Sequence, residues 1–260
     1  MPVESYFSQL EPPEDTEIWR FMPLNRFEDL MANEELFFCR ADLFPQDENE
    51  GIPPEDYVRR AFNLRRYDIQ DEKTLIHQMG TLAQEREMFY ASCWHLARDE
   101  RPEMWKGFAE TGVAIISRYE SLKAILDGLL DRAFLGLVRY GEEHLTTTMR
   151  VNVLQYITTK RIGYRDECEV RAFLWCPDPF AGNNRHFDAN NWPHNRPLPE
   201  NPRHHWVHDF KRRRIELKAL INGVVISPWA SQEVKESVET WLKIKHPQLE
   251  IRKSSVNPGE

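Results

Sequence analysis

Glycine is scarce in this chain. The 11 glycines are scattered over 260 residues, and neither Gly-x-Gly-x-x-Gly nor Gly-x-x-x-x-Gly-Lys occurs. Both motifs work by bringing backbone N–H groups against phosphate at a helix start, so their absence excludes P-loop kinases and dinucleotide-fold dehydrogenases. No apolar run approaches the roughly 20 residues needed to cross a bilayer. The N-terminus, MPVESYFSQLEPPEDTE, is acidic and not a basic-then-apolar leader. Together these predict a soluble cytoplasmic protein with no membrane partner. There are only four cysteines, Cys39, Cys93, Cys168 and Cys176, with no Cys-x-x-Cys pair. Buried free thiols in a reducing compartment are expected. Positive charge is also in deficit, with 34 Lys and Arg against 42 Asp and Glu and a net charge of −8. Whole-surface attraction to nucleic acid or anionic lipid is excluded, and only a local basic patch is left open.

What the chain does have is apolar and aromatic mass, 41% and 12% of its residues, enough at this length for one sizeable core. Residues 1–16 read as a flexible acidic leader, and 17–256 as a single domain. Strands are expected at 18–22, 36–41, 88–94, 112–117, 134–140 and 168–176. Pro23 opens a helix with Leu24, Phe27, Leu30 and Met31 on one stripe. Further helices are expected around Leu75 to Ala83, at 102–109 and at 119–130, and one carrying Val234, Val238, Trp241 and Leu242. A strand-like run covers 215–226, and a short strand 249–251. Residues 42–54 hold three prolines and a cluster of acids and read as a lid-like loop. Residues 177–205, rich in proline, asparagine and histidine, form a long irregular loop. The mixture lacks regular β-α-β alternation, so the class is α+β, with a mixed, mainly antiparallel sheet and flanking helices.

The chemistry concentrates at Glu167-Cys168-Glu169-Val170-Arg171. On an extended strand alternate side chains share a face, which predicts Glu167, Glu169 and Arg171 together and Val170, Ala172, Leu174 and Cys176 on the apolar side. Either Arg171 neutralises both acids as a structural ladder, or the acids form a catalytic pair. Lys160 closes the cluster from the preceding turn. Such a neighbourhood keeps both acids ionised, an electrostatic site and not an acid/base pair. Trp19-Arg20-Phe21 sets a cation between aromatics on an early strand, and Tyr90, Ser92 and Trp94 share one face of a middle strand. Metal binding is not expected. Asp47-Glu48-Asn49-Glu50-Gly51 lacks calcium-loop spacing, and His204 and His208 lack the intervening glutamate of a zinc protease. Lys211-Arg212-Arg213-Arg214 is either a phosphate contact or a solvated strand start.

Four blocks then carry a resemblance: WRFMPLNRFEDLMANEELFFCRADLFPQDENEG, YASCWHLARDERPEMWKGFAETGVAIIS, YITTKRIGYRDECEVR and LINGVVISPWAS. They resemble, in order and from Ile18 to about Val256, a bacterial family known as domain-of-unknown-function family 2971. The order of arginine, serine and Glu-x-Glu is also similar to one branch of the ADP-ribosyltransferase superfamily, although Ser92 is followed by Cys-Trp where that branch has Ser-Thr-Ser. That resemblance implies NAD as substrate, with Arg20 on the dinucleotide and Ser92 supporting the nicotinamide pocket. It also implies Glu169 on the ribose, stabilising an oxocarbenium-like centre. Glu167 and Lys160 stand nearby, and Trp19, Tyr90 and Trp94 offer stacking surfaces. The expectation is a nucleotide-directed, NAD-consuming site. The alternative is a non-catalytic module, such as phage defence would use, whose loop 177–206 binds a protein or nucleic acid.

Overall fold

The computed structural model describes residues 3–5, 11–44, 50–64, 73–76, 79–80, 85–96, 100–141, 153–176 and 209–257. In chain order the described elements are β1 (Glu4–Ser5), β2 (Glu17–Met22), α1 (Leu24–Asn33), β3 (Glu35–Arg40), α2 (Glu55–Leu64) and β4 (Phe89–Leu96). Then come α3 (Pro102–Phe108), β5 (Val113–Arg118), α4 (Tyr119–Asp127), β6 (Arg132–Leu137), β7 (Arg139–Tyr140), α5 (Val153–Ile157), β8 (Thr159–Lys160) and β9 (Glu169–Trp175). The chain closes with β10 (Phe210–Arg214), α6 (Leu217–Leu220), β11 (Gly223–Ile226), α7 (Gln232–Lys245) and β12 (Glu250–Arg252). The fold is α+β. A ten-stranded sheet runs β1-β6-β9-β4-β2-β5-β11-β12, with β3 hung on β4 and β10 on β3. It is antiparallel except at its two margins, where β1 joins β6 and β12 joins β11 in parallel.

Alternation along the strands sorts side chains into two layers. Ile18 and Met22 of β2, Tyr90 and Trp94 of β4, and Val170, Ala172 and Leu174 of β9 face the main core under α1, α4 and α7. In α1, Phe27, Leu30 and Met31 are the buried positions, each worth roughly 1.5–3 kcal/mol. The opposite face carries Ala91 and Phe173 against Ile157 of α5, and Trp19, Ala114 and Ile116 against Trp105 of α3. Gly112 is obligatory in the turn before β5, because a Cβ there would lie 2.1 Å from the Met22 carbonyl oxygen.

One discontinuity shapes the molecule. β4 pairs with β9 along seven residues, but on its other side it meets β2 only at Leu96 and His95 and β3 only at Ala91 and Tyr90. Between those contacts the sheet forks, with β2 continuing into the β5 wing and β3 into the β10 wing.

Several expectations need correction. The run 215–226 is not one strand: α6 interrupts it, burying Leu217 and Leu220, and only Gly223–Ile226 pairs with β5. The helix from Tyr119 stops at Asp127, leaving Leu130 exposed. Part of the expected leader is tied down, since β1 pairs with β6 and the Thr16 carbonyl accepts the Tyr119 N–H at 2.9 Å. The cysteines are free but not buried, and Cys93 is exposed. The loop 177–205 lies outside the described residues.

Candidate functional site

Sheet register assembles the site on the face opposite the main core. Across β2, β4 and β9, Trp19 lies opposite His95, which lies opposite Glu169. One step along, Cys93 lies opposite Arg171, whose other neighbour is Gly136 of β6. A glycine there offers no side chain to compete with the Arg171 guanidinium.

Arg171 is the pivot. It grips Glu169 with two bonds, Nε to Oε1 at 2.6 Å and Nη2 to Oε2 at 2.9 Å, and donates Nη1 to the Ile157 carbonyl at 2.6 Å. It also pairs with Glu50 and lies 4.9 Å from the centroid of the Phe44 ring. Lys160, presented by β8, reaches Glu169 at 3.0 Å, Glu50 at 3.7 Å and Glu167 at 2.5 Å. The Glu169 carboxylate thus takes two bonds from Arg171 and the Lys160 ammonium. Burial opposes its ionisation, but the charges of Arg171 and Lys160 prevail and hold it at about 2. Glu50 goes the other way: burial, reinforced by Glu169, raises it despite the same two cations. Three carboxylates thus share two cations. The Cys93 thiol, whose exposed surface opens onto the cavity, is pushed well up by the protein packed around it and by Glu169, so it stays protonated and is not a nucleophile.

The structure brings some expected residues together and separates others. Glu169, Arg171, Lys160 and Glu167 converge, yet Glu167 does not share the strand. It ends a 3₁₀ turn, Ile162–Glu167, and Cys168 at φ 43° breaks the extended chain between the two acids. Glu167 reaches Lys160 from that turn. Tyr90, Ser92 and Trp94 do share a face, but it is the core face, because Ser92 pairs with Ala172 and not with the site row. Ser92 is fully buried, its hydroxyl accepting the Trp94 indole N–H at 3.2 Å. It cannot support a pocket with Glu169. Tyr90 is buried beneath Lys211, whose Nζ lies 5.1 Å from the ring centroid. The basic run is largely spent: Arg213 binds both oxygens of Asp131 at 2.5 and 2.7 Å, and Arg212 pairs with Asp29 at 2.9 Å. Cys93, His95 and Phe44 had no role in the site expected from sequence, and Glu50 was expected only as one acid of the 47–50 turn, where the structure instead buries it against Arg171. No metal-holding group occurs among the described residues, and His204 and His208 lie outside them.

Above this cluster, at the fork, lies a cavity of about 370 Å³. Phe21, Phe37, Phe44 and Phe108 wall it, Glu167 and Glu169 lie at one side, and Arg20 and Trp94 enter it through the fork. Arg20 belongs to the core side of β2 by alternation, but with β3 splayed away its guanidinium spans the gap. Nη2 donates to the Phe37 carbonyl at 3.0 Å, and Cζ lies 5.9 Å from the Trp94 ring. Among the described residues it has no carboxylate partner, and burial lowers it to about 10. It stays a cation at neutral pH. No protein-family model, curated protein or solved structure matches the chain.

Proposed function

We propose that the cavity is a nucleotide-directed site, binding a small ligand that joins a planar ring to an anionic group. The observation that carries this is Arg20, a cation on the wall of an aromatic-lined cavity with no carboxylate to neutralise it among the described residues. Lys160 and Arg171 also border the cavity, but they are paired with acids. A volume of about 370 Å³ lies in the lower part of the range roughly 300–1,000 Å³ typical of ligand pockets. That suits a nucleoside phosphate, or one half of a dinucleotide such as NAD with the rest at the mouth. The ring stacks among the phenylalanines. Sugar hydroxyls meet Glu167, whose carboxylate is the least buried of the three. Glu169, held by Arg171 and Lys160, acts through its fixed charge. The expected arrangement of arginine, serine and glutamate for ADP-ribosyl transfer is not assembled, since Ser92 lies on the other face of the sheet; the reading keeps the nucleotide and omits the transfer.

Thermal denaturation with and without ligand tests it. At a hundredfold excess over Kd, AMP or NAD should stabilise the protein by about 2.7 kcal/mol, and adenosine at the same concentration by less. Arg20→Gln should abolish the nucleotide shift while leaving the melting temperature of the free protein unchanged or higher, because the variant no longer holds a half-buried cation without a counter-charge. No shift with any nucleotide, or an equal shift in Arg20→Gln, overturns the reading.

A further inference from the structure

A second arginine stands beside the first. Arg26, in the first turn of α1, places its guanidinium 4.5 Å from the centroid of the Phe37 ring. Phe37 is the residue whose carbonyl accepts Arg20 at 3.0 Å. The ring is itself fixed by stacking on Phe210 at 5.4 Å. Two cations therefore flank one aromatic residue at the fork, Arg20 within the cavity and Arg26 on the exposed side. Neither has a carboxylate partner among the described residues.

This arrangement is electrostatically expensive without an anion. The cause that lowers Arg20 most is burial, and the charge of Arg26 adds to it. The first turn of α1 contains no acid, although the positive end of a helix dipole favours an acid there and disfavours an arginine. The buried positions of α1 are Phe27, Leu30 and Met31, so Arg26, over the Phe37 ring, serves the fork and not the core. Elsewhere several arginines of this acidic chain are paired with acids: Arg40 with Asp42, Arg132 with Glu4, Arg171 with Glu169, Arg213 with Asp131 and Arg252 with Glu17. The Arg20–Arg26 pair differs from these in standing side by side at the fork, where the sheet opens onto the cavity.

We infer that Arg26 is a second anion-binding residue of the same site, and that the ligand carries a diphosphate. One phosphate is held by Arg20 inside the cavity, and the next by Arg26 at its outer edge across the Phe37 ring. The inference rests on the nucleotide reading and deepens it: a nucleoside diphosphate, or a dinucleotide with its bridging pyrophosphate, fits better than a monophosphate. Planar guanidinium groups are suited to the task, because each offers paired N–H donors to phosphate oxygens.

The test is magnesium-free calorimetric titration of the full chain with ADP, AMP, inorganic pyrophosphate and inorganic phosphate. It is run on wild type, Arg26→Ala and Arg26→Gln, both changes being at an exposed position that the core does not use. ADP should bind wild type roughly tenfold more tightly than AMP, the worth of one charge-assisted contact. Both variants should bring ADP down to the AMP level while leaving AMP within about twofold, as expected for removal of a contact AMP does not make. Pyrophosphate should exceed phosphate by a similar factor, again only with Arg26 present. Equal binding of ADP and AMP to wild type, or equal weakening of both by the variants, overturns the diphosphate inference and leaves the nucleotide site standing. Arg26-dependent pyrophosphate binding without nucleotide binding overturns the nucleotide reading instead. Binding of neither overturns both.

Discussion

Two arginines that line the same cavity illustrate opposite uses of a cation. Arg171 is fully committed, to both oxygens of Glu169, to Glu50 and to the Ile157 carbonyl, whereas Arg20 has one hydrogen bond and no counter-charge among the described residues. The first pattern is structural, since removing one partner of a buried pair leaves the other charge uncompensated. Glu169→Gln should therefore cost about 3–5 kcal/mol at pH 7, and not the small amount that similarity of volume suggests. Its pH dependence has a definite sign. The carboxyl is held at about 2, below its usual 4.5, in the folded state, so its contribution is fully present above the unfolded value and is lost as pH falls from about 5 through about 2. Urea denaturation of wild type and variant at pH 7, 4 and 2.5 should show their stabilities converging toward the acid end. A constant difference would mean that the ionised Glu169 is not what stabilises the fold.

At the scale of elements, the sequence was legible where a single periodicity governed. The all-apolar segment of β5 announces burial on both faces. The stripes of α1 and α7 announce one packed side, and Phe27, Leu30, Val238 and Leu242 are indeed buried. It was less legible where the backbone leaves regular geometry. Alternation from Glu167 to Glu169 fails because Cys168 adopts a left-handed conformation at φ 43°, which nothing about a cysteine suggests. Alternation in β4 correctly groups Tyr90, Ser92 and Trp94, but which face of β9 they join depends on register, a relation between distant segments. Glu50 was unreadable as a core acid, since its burial depends on Lys160 and Arg171 far along the chain. Left-handed residues also provide a test at this scale. Glu34 caps α1 at φ 55°, where glycine is at no steric disadvantage. Its side chain gives up only a contact with exposed Arg214 at 4.0 Å, worth little. Glu34→Gly should raise stability by about 0.5–1 kcal/mol, seen as a higher urea midpoint with an unchanged slope and unchanged ligand affinity.

For the molecule as a whole, the fork in the sheet is the organising feature. β4 and β9 form a seven-residue ladder from which two wings diverge, β3 with β10 on one side and β2, β5, β11 and β12 on the other. At the fork the cavity takes the place of a strand-to-strand contact, spanned on the protein side by the Arg20 bond to the Phe37 carbonyl. A ligand that holds Arg20 and stacks on Phe37 therefore ties one wing to the other, and its stabilisation should be local before it is global. In hydrogen-exchange mass spectrometry with saturating ADP, protection should rise in β3, β10 and the half of β2 beyond Trp19, which meets no β4 residue. It should change little in β1 and β6, which lie on the far side of β9. A uniform rise over all strands would indicate mass-action stabilisation of the whole fold by a ligand bound elsewhere. Protection confined to β6 and β9 would place the ligand on the acid cluster and away from the fork.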